Sequence, residues 1–193
     1  MSFVILARHG QSELNLTRHV NGDPSVPVAL TEQGEAEARR LGEALAGVRL
    51  DLCVHSRFER TRRTAELALA GWGVPLREEP LLDDIDVGEL EGRTIDDYRA
   101  WKLEHTREDA FPGGESLNDS ARRYAGAYER LLARAERRIL VVCHEIPVRY
   151  AINAATGSDD LDAPAHEIGN CIPHLFDEDG LSRAVDRIRE LVS

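Results

Sequence analysis

Residues 3–15 read FVILARHGQSELN, an apolar run that stops at Arg8, His9 and Gly10 and continues in polar residues. The first five positions are apolar without alternation, which predicts a strand over 3–8 covered on both faces. LDLCVHS (50–56) and RILVVCH (138–144) repeat the pattern, and a short strand is expected near 172–176. Helical spacing fills the intervals. LTEQGEAEARRLGEALAGV (30–48) has Thr31 as its N-cap and Ala38, Leu41 and Leu45 on one face. RTRRTAELALAG (60–71) ends on glycine, and further helices are expected over 118–135, 148–156 and 180–192. Doubly apolar strands alternating with helices predict an α/β fold: a three-layer α/β/α sandwich around a mainly parallel sheet. No repeat, linker or low-complexity tract interrupts the chain, so residues 1–193 read as one domain. The stretch 83–117, acidic and carrying Gly88, Gly92 and PGGES at 112–116, reads as an irregular insertion lying over the mouth of the sheet.

Composition narrows the partners. The formal charge of −11 opposes a general nucleic-acid surface, which needs net positive potential. It permits a small phosphorylated ligand, because a local arginine cluster reverses the potential inside one pocket. Lys102 is the only lysine, so nearly all positive charge is arginine, the better planar partner for phosphate. No apolar run is long enough to span a bilayer, and no basic segment followed by an apolar one opens the chain. Cys53, Cys143 and Cys171 are odd in number and set in apolar surroundings, as reduced core thiols would be. A cytoplasmic protein without a membrane partner is expected; oligomeric state is open.

In a parallel sheet, ligands bind beyond the carboxyl ends of the strands. The first strand ends in Arg8-His9-Gly10, the second in His55-Ser56-Arg57 with Arg60 one turn on, and 138–143 ends in His144. Side by side, these ends bring two histidines and two or three arginines to one mouth, with Gln11, Ser12 and Asn15 in the neighbouring loop. Fixed positive charge around a dianion is what phosphoryl transfer requires, and a neutral imidazole is a competent nucleophile near pH 7. Gly10 is expected to let the backbone approach the incoming phosphate. The leaving oxygen needs a proton, and LLDDIDVGELEG (81–92) is the region that would donate it.

These pieces resemble the histidine phosphatase superfamily, in its phosphoglycerate-mutase-like branch. LARHGQSELN is similar to its opening motif, VHSRFERTRRTAELA (54–68) to its second, LLDDIDVGELEG to the stretch carrying the acid, PGGES to a usual loop, and VVCHEIPVR to the strand with the second histidine. The resemblance implies His9 as the phosphorylated nucleophile, with Arg8, Arg60 and His144 completing the phosphate pocket, and Ser12 and Asn15 contacting phosphate or substrate. It implies no cofactor and no metal. Two departures stand out. The family's usual glutamate acid falls on Asp84, one methylene shorter, so Asp84, Asp83 or Asp86 is the acid. Glycine commonly follows the second histidine, whereas this chain has Glu145, which would disfavour a second anionic group unless it points away.

The activity implied is hydrolysis of phosphate monoesters through phosphohistidine, with a small phosphorylated substrate in and inorganic phosphate out. The rivals are a phosphoglycerate mutase, disfavoured on the expectation that mutases carry longer insertions, a phosphoprotein phosphatase, and a non-catalytic phosphate-binding module. HEIPV (144–148) and HEIGN (166–170) lack the second histidine of a helical zinc motif. His19, His55, His105, His166 and His174 are expected to have no chemical role. Arg57 reaches phosphate or a surface carboxylate, Arg62 and Arg63 cover a solvated helix face, and Tyr98, Trp101 and Phe111 line an aromatic pocket or pack the insertion.

Overall fold

Alternation along three strands divides the core into two faces. The computed structural model describes residues 2–165 and 167–193. In β4 (Arg138–Cys143), Ile139, Val141 and Cys143 join one buried cluster while Leu140 and Val142 join the other. In β1 (Phe3–Arg8), Val4 and Leu6 oppose Ile5 and Ala7; in β2 (Leu52–His55), Leu52 and Val54 oppose Cys53. Successive side chains on a strand point to opposite faces, so strands with no polar positions must be covered twice.

The covers are helical. α2 (Glu32–Ala44) and α3 (Glu59–Ala68) bury Ala38, Leu41, Ala65 and Ala68 on one face. α5 (Leu117–Leu132), α6 (Glu145–Ala155) and α7 (Glu178–Leu191) bury Tyr124, Tyr128, Tyr150, Leu181 and Ile188 on the other. With β3 (Leu76–Glu78) and β5 (His174–Asp177) the sheet order is β3-β2-β4-β1-β5. The first four strands are mutually parallel and β5 runs antiparallel to β1. The fold is the expected α/β layering, and Thr31 caps α2 by accepting from the Gly34 amide.

The sequence reading departs in three places. The stretch 83–117 is not wholly irregular: it holds α4 (Ile95–Glu104), opened by a Thr94–Asp97 capping box. No residue of α4 is fully buried, and its half-buried stripe of Ile95, Tyr98 and Trp101 is too short to stand out as a period in the sequence. The three-residue β3 is half exposed and gave no signal either. α6 begins at Glu145 and not at 148, because Pro147 sits in the first helical turn, where its missing N–H costs nothing. Phe111 is buried against Trp101 and Tyr98 (ring centroids 4.1 and 5.5 Å), so these aromatics pack the insertion onto the body. Short α1 (Glu13–Thr17) follows β1 directly.

Adjacent strands β1 and β4 send their chains to opposite faces, toward α2 and α6. That divergence opens a crevice beyond their carboxyl ends. The ladder runs to its lip, where the His9 amide donates to the Cys143 carbonyl (3.0 Å).

Candidate active site

His9 and His144 are the first residues past β1 and β4, with ring centroids 5.4 Å apart. His9 is buried, and its Nδ1 lies 2.7 Å from the Gly10 carbonyl. A carbonyl only accepts, so Nδ1 carries the proton. The lone pair is left on Nε2, where it accepts from Arg60 Nε (3.1 Å). Burial, then the charges of Arg60 and Arg8, hold this imidazole well below its ordinary value of 6.5. At neutral pH it is an uncharged ring with one defined lone pair facing the crevice.

His144 is fixed by a relay. Thr61 donates its hydroxyl to the Phe58 carbonyl (2.8 Å), so Ser56 Oγ donates to Thr61 (2.8 Å) and accepts from His144 Nε2 (2.8 Å). Nδ1 then faces Arg60 Nη2 at 3.2 Å and Asp84 Oδ2 at 3.4 Å. Burial, then Arg60 and the other histidine, also lower this ring well below 6.5.

Arg60 enters from the first turn of α3 and is 4% exposed, its guanidinium 4.2 Å from the Phe58 ring centroid. Beyond His9 and His144 it reaches Asp84 Oδ2 (3.3 Å), the Asn21 carbonyl (3.1 Å) and Asn21 Oδ1. Arg8, at the end of β1, donates Nη1 to the Ile168 carbonyl (2.9 Å) and pairs with Glu145 Oε2 (2.9 Å). Its buried Nε has no hydrogen-bond partner among the described residues.

Of the three candidate acids, Asp84 alone faces this cluster. Asp83 is turned onto Arg57, accepting from its backbone N (2.9 Å) and Nε (2.6 Å), which also takes Arg57 away from phosphate. Asp86 accepts from the Gly88 amide (2.9 Å). Burial pushes the Asp84 carboxyl up from its usual value against the opposing charge of Arg60. That favours holding a proton, as a general acid must.

The crevice opens into a cavity of about 820 Å³. Ser12 and Asn15 line it, though each also closes the capping box of α1. Gly10 does not serve as expected: a β-carbon there would lie 2.3 Å from the Gly34 carbonyl oxygen, so its close approach is to α2 and not to phosphate. Glu145 does not point away; it lines the cavity, bound to Arg8 and to Arg149 (3.1 Å). Arg18, Arg99, Lys102 and His19 line it as well. His55 donates to or accepts from nothing in the crevice, its Nδ1 meeting the Ser56 carbonyl (2.7 Å), and His105 stacks on Trp101. Arg62 and Arg63 pair with Glu66 and Glu35 on the α3 surface. His166 lies outside the described residues. Among the described residues no three His, Cys, Asp or Glu side chains converge as metal ligands would.

Sequence reasoning missed Asn21, Thr61 and the role of Ser56. Ser56 follows β2 as His9 follows β1, which was a usable signal; Asn21 lies in a loop with none.

Residues 4–189 match the histidine phosphatase superfamily (branch 1). The chain belongs to that superfamily. A 2,3-bisphosphoglycerate-dependent phosphoglycerate mutase of Methylobacterium sp. (strain 4-46) is 36% identical over 190 residues, covering 90% of this chain and 89% of that protein. A protein of the same name from Brucella ovis is 33% identical over 190 residues, 90% of each chain. Among solved structures, the alpha-ribazole phosphatase from Shigella flexneri superposes with a TM-score of 0.79 at 26% identity, covering 91% of this chain and 90% of that one. Proteins named as mutases thus span nearly the same length as this histidine phosphatase superfamily member. Compactness, expected to favour hydrolysis, does not discriminate. The cysteines are free and buried, and no helix among the described residues is long and apolar enough to cross a membrane.

Proposed function

We infer that this superfamily member hydrolyses small phosphate monoesters through a phosphohistidine on His9. The observation that carries the reading is the Nε2 lone pair of a neutral, buried imidazole whose other nitrogen is locked on the Gly10 carbonyl. Nε2 attacks phosphorus, and the P–O bond to the leaving group breaks as Asp84 delivers a proton to that oxygen. Arg8 and Arg60 surround the equatorial oxygens, where charge must be met in the transition state, and His144 joins them as a donor only when its Nδ1 takes up a proton as the dianion enters. Water then attacks the phosphohistidine, Asp84 takes its proton, and inorganic phosphate leaves. Ser12 and Asn15 would meet substrate at the loop side. The whole chain acts as one domain in a reducing, cytoplasmic setting.

A mutase is the second reading. It is favoured by the names of the relatives and by Arg18, Arg99 and Lys102 on the cavity wall, which suit a second anionic group. In that case the phosphoryl group returns to substrate and not to water.

The test compares wild type with His9→Ala on p-nitrophenyl phosphate and a panel of metabolite monophosphates, with chelator present and free phosphate recorded. Release that falls to background in His9→Ala supports hydrolysis. Isomerisation of 3-phosphoglycerate that needs a bisphosphate primer, with little phosphate freed, supports the mutase. Neither activity in the folded wild type overturns both.

A further inference from the structure

Arg60 is also aimed by Asn21, a residue outside every motif quoted above. Its Nη1 donates to Asn21 Oδ1 and its Nη2 to the Asn21 carbonyl (3.1 Å), so one residue grips both ends of the guanidinium fork. Asn21 is itself 8% exposed, and an amide that close to a cation has two orientations of very different energy. With Oδ1 toward Arg60 it accepts; flipped, it would set two donors against each other.

Two acceptors on the nitrogen side of the amide decide between them, the Asp23 carbonyl (3.2 Å from Nδ2) and, closer, Glu91. Its Oε1 accepts from Asn21 Nδ2 (2.7 Å), while Oε2 accepts from the backbone amides of Gly22 (2.6 Å) and Asp23 (3.1 Å). Three N–H groups thus point at one side chain, and both of its oxygens must accept. Only a carboxylate does this: an amide would turn its own NH₂ either on the loop amides or on Asn21. The loop is packed closely at this point, since a β-carbon on Gly22 would lie 2.1 Å from the Ile85 carbonyl oxygen.

We propose that Glu91 is a positioning residue for phosphoryl chemistry, fixing the Asn21 amide in the one orientation that presents Oδ1 to Arg60. This rests on Arg60 being a phosphate ligand of the reading above. Glu91 touches neither phosphate nor His9. It acts through two hydrogen bonds in series, and its charge also favours the charged form of Arg60.

Two variants test it. Glu91→Gln keeps the shape and removes one acceptor. Asn21→Ala removes the amide and leaves Glu91 bound to Gly22 and Asp23. Inorganic phosphate binding is measured by calorimetry and the His9 ring titration by NMR, neither of which needs turnover, so a failed phosphatase assay leaves this test intact. In each variant that folds, judged by circular dichroism, the expected result is phosphate affinity weaker by about tenfold, as for one lost charge-assisted hydrogen bond. The His9 titration should move upward, because the Arg60 charge that depresses it is no longer held at Nε2. If Glu91 merely bolts the loop, thermal stability falls while phosphate affinity stays within twofold and the His9 titration does not move. That result in either folded variant overturns the proposal.

Discussion

Two buried neutral histidines make the stability of this protein depend on pH in a calculable way. His9 and His144 are 2% and 0% exposed and both are held well below 6.5. In the unfolded chain each ring takes a proton as pH falls through about 6.5, whereas in the folded chain it stays neutral. The unfolded state therefore binds more protons, and stability is lost as pH falls below 6.5 toward the folded values. Each ring costs about 1.4 kcal/mol per pH unit in that window, about 2.7 kcal/mol for the pair. For a chain of this size that is about 5–11 °C in Tm per pH unit. Asp84 works in the opposite sense: its raised value makes protonation favour the folded state as pH falls through the folded pKa. His174 adds a smaller loss of the first kind, but it cancels when wild type is compared with a His9→Asn, His144→Asn double variant. Urea unfolding at half-unit steps downward from pH 6.5 should give a steeper loss in wild type by about 2–3 kcal/mol per unit, at equal m-values. A difference under about 1 kcal/mol per unit would refute the neutral-ring assignment on which the nucleophile rests.

Two further outcomes follow from the carboxylates. Asp84→Asn should slow turnover of alkyl phosphates by about 10²–10⁴-fold and of p-nitrophenyl phosphate far less, because nitrophenolate leaves without a proton; equal losses on both would remove Asp84 as the acid. Glu145→Gln keeps an acceptor for Arg8 but deletes a negative charge at the mouth. Inorganic phosphate should inhibit about threefold to tenfold more strongly at low ionic strength, the gain shrinking with added salt, and weaker inhibition would mean that Glu145 chiefly orients Arg8.

What the sequence made legible was whatever carries a period or ends a strand. The doubly apolar runs at 3–8 and 138–143 located β1 and β4 to the residue, and the groups one step beyond them are the two histidines. Arg60 was reachable because it opens a helix just after β2. Asp84 could be narrowed only to a trio, since nothing in Asp83, Asp84 and Asp86 tells which carboxylate Arg57 will capture. The fold made that choice through the hydrogen bond from the Arg57 amide. α4 was missed because its apolar stripe is only Ile95, Tyr98 and Trp101, three half-buried positions in an otherwise polar stretch. Asn21 was invisible for a different reason: its role is a contact across 39 residues, set by loop geometry and not by local pattern. Glycine likewise misled, since the same residue type serves packing on α2 as readily as ligand approach.

The place of β4 in the sheet bears on how the protein is made. It lies between β1 and β2, yet it is synthesised after both, so the two earlier strands leave the ribosome with the slot between them unfilled. Such insertion is a non-local event, slow to form and exposing apolar edges while it waits. His9, Arg60 and Asp84 are all present in the nascent chain before residue 138, but the proposed phosphate cradle closes only when β4 docks and delivers His144. Anion binding is then a property of the completed sheet alone. Any dianion that occupies the cradle rewards β4 docking and no step before it, and would rescue variants impaired in that docking in proportion to its concentration over Kd.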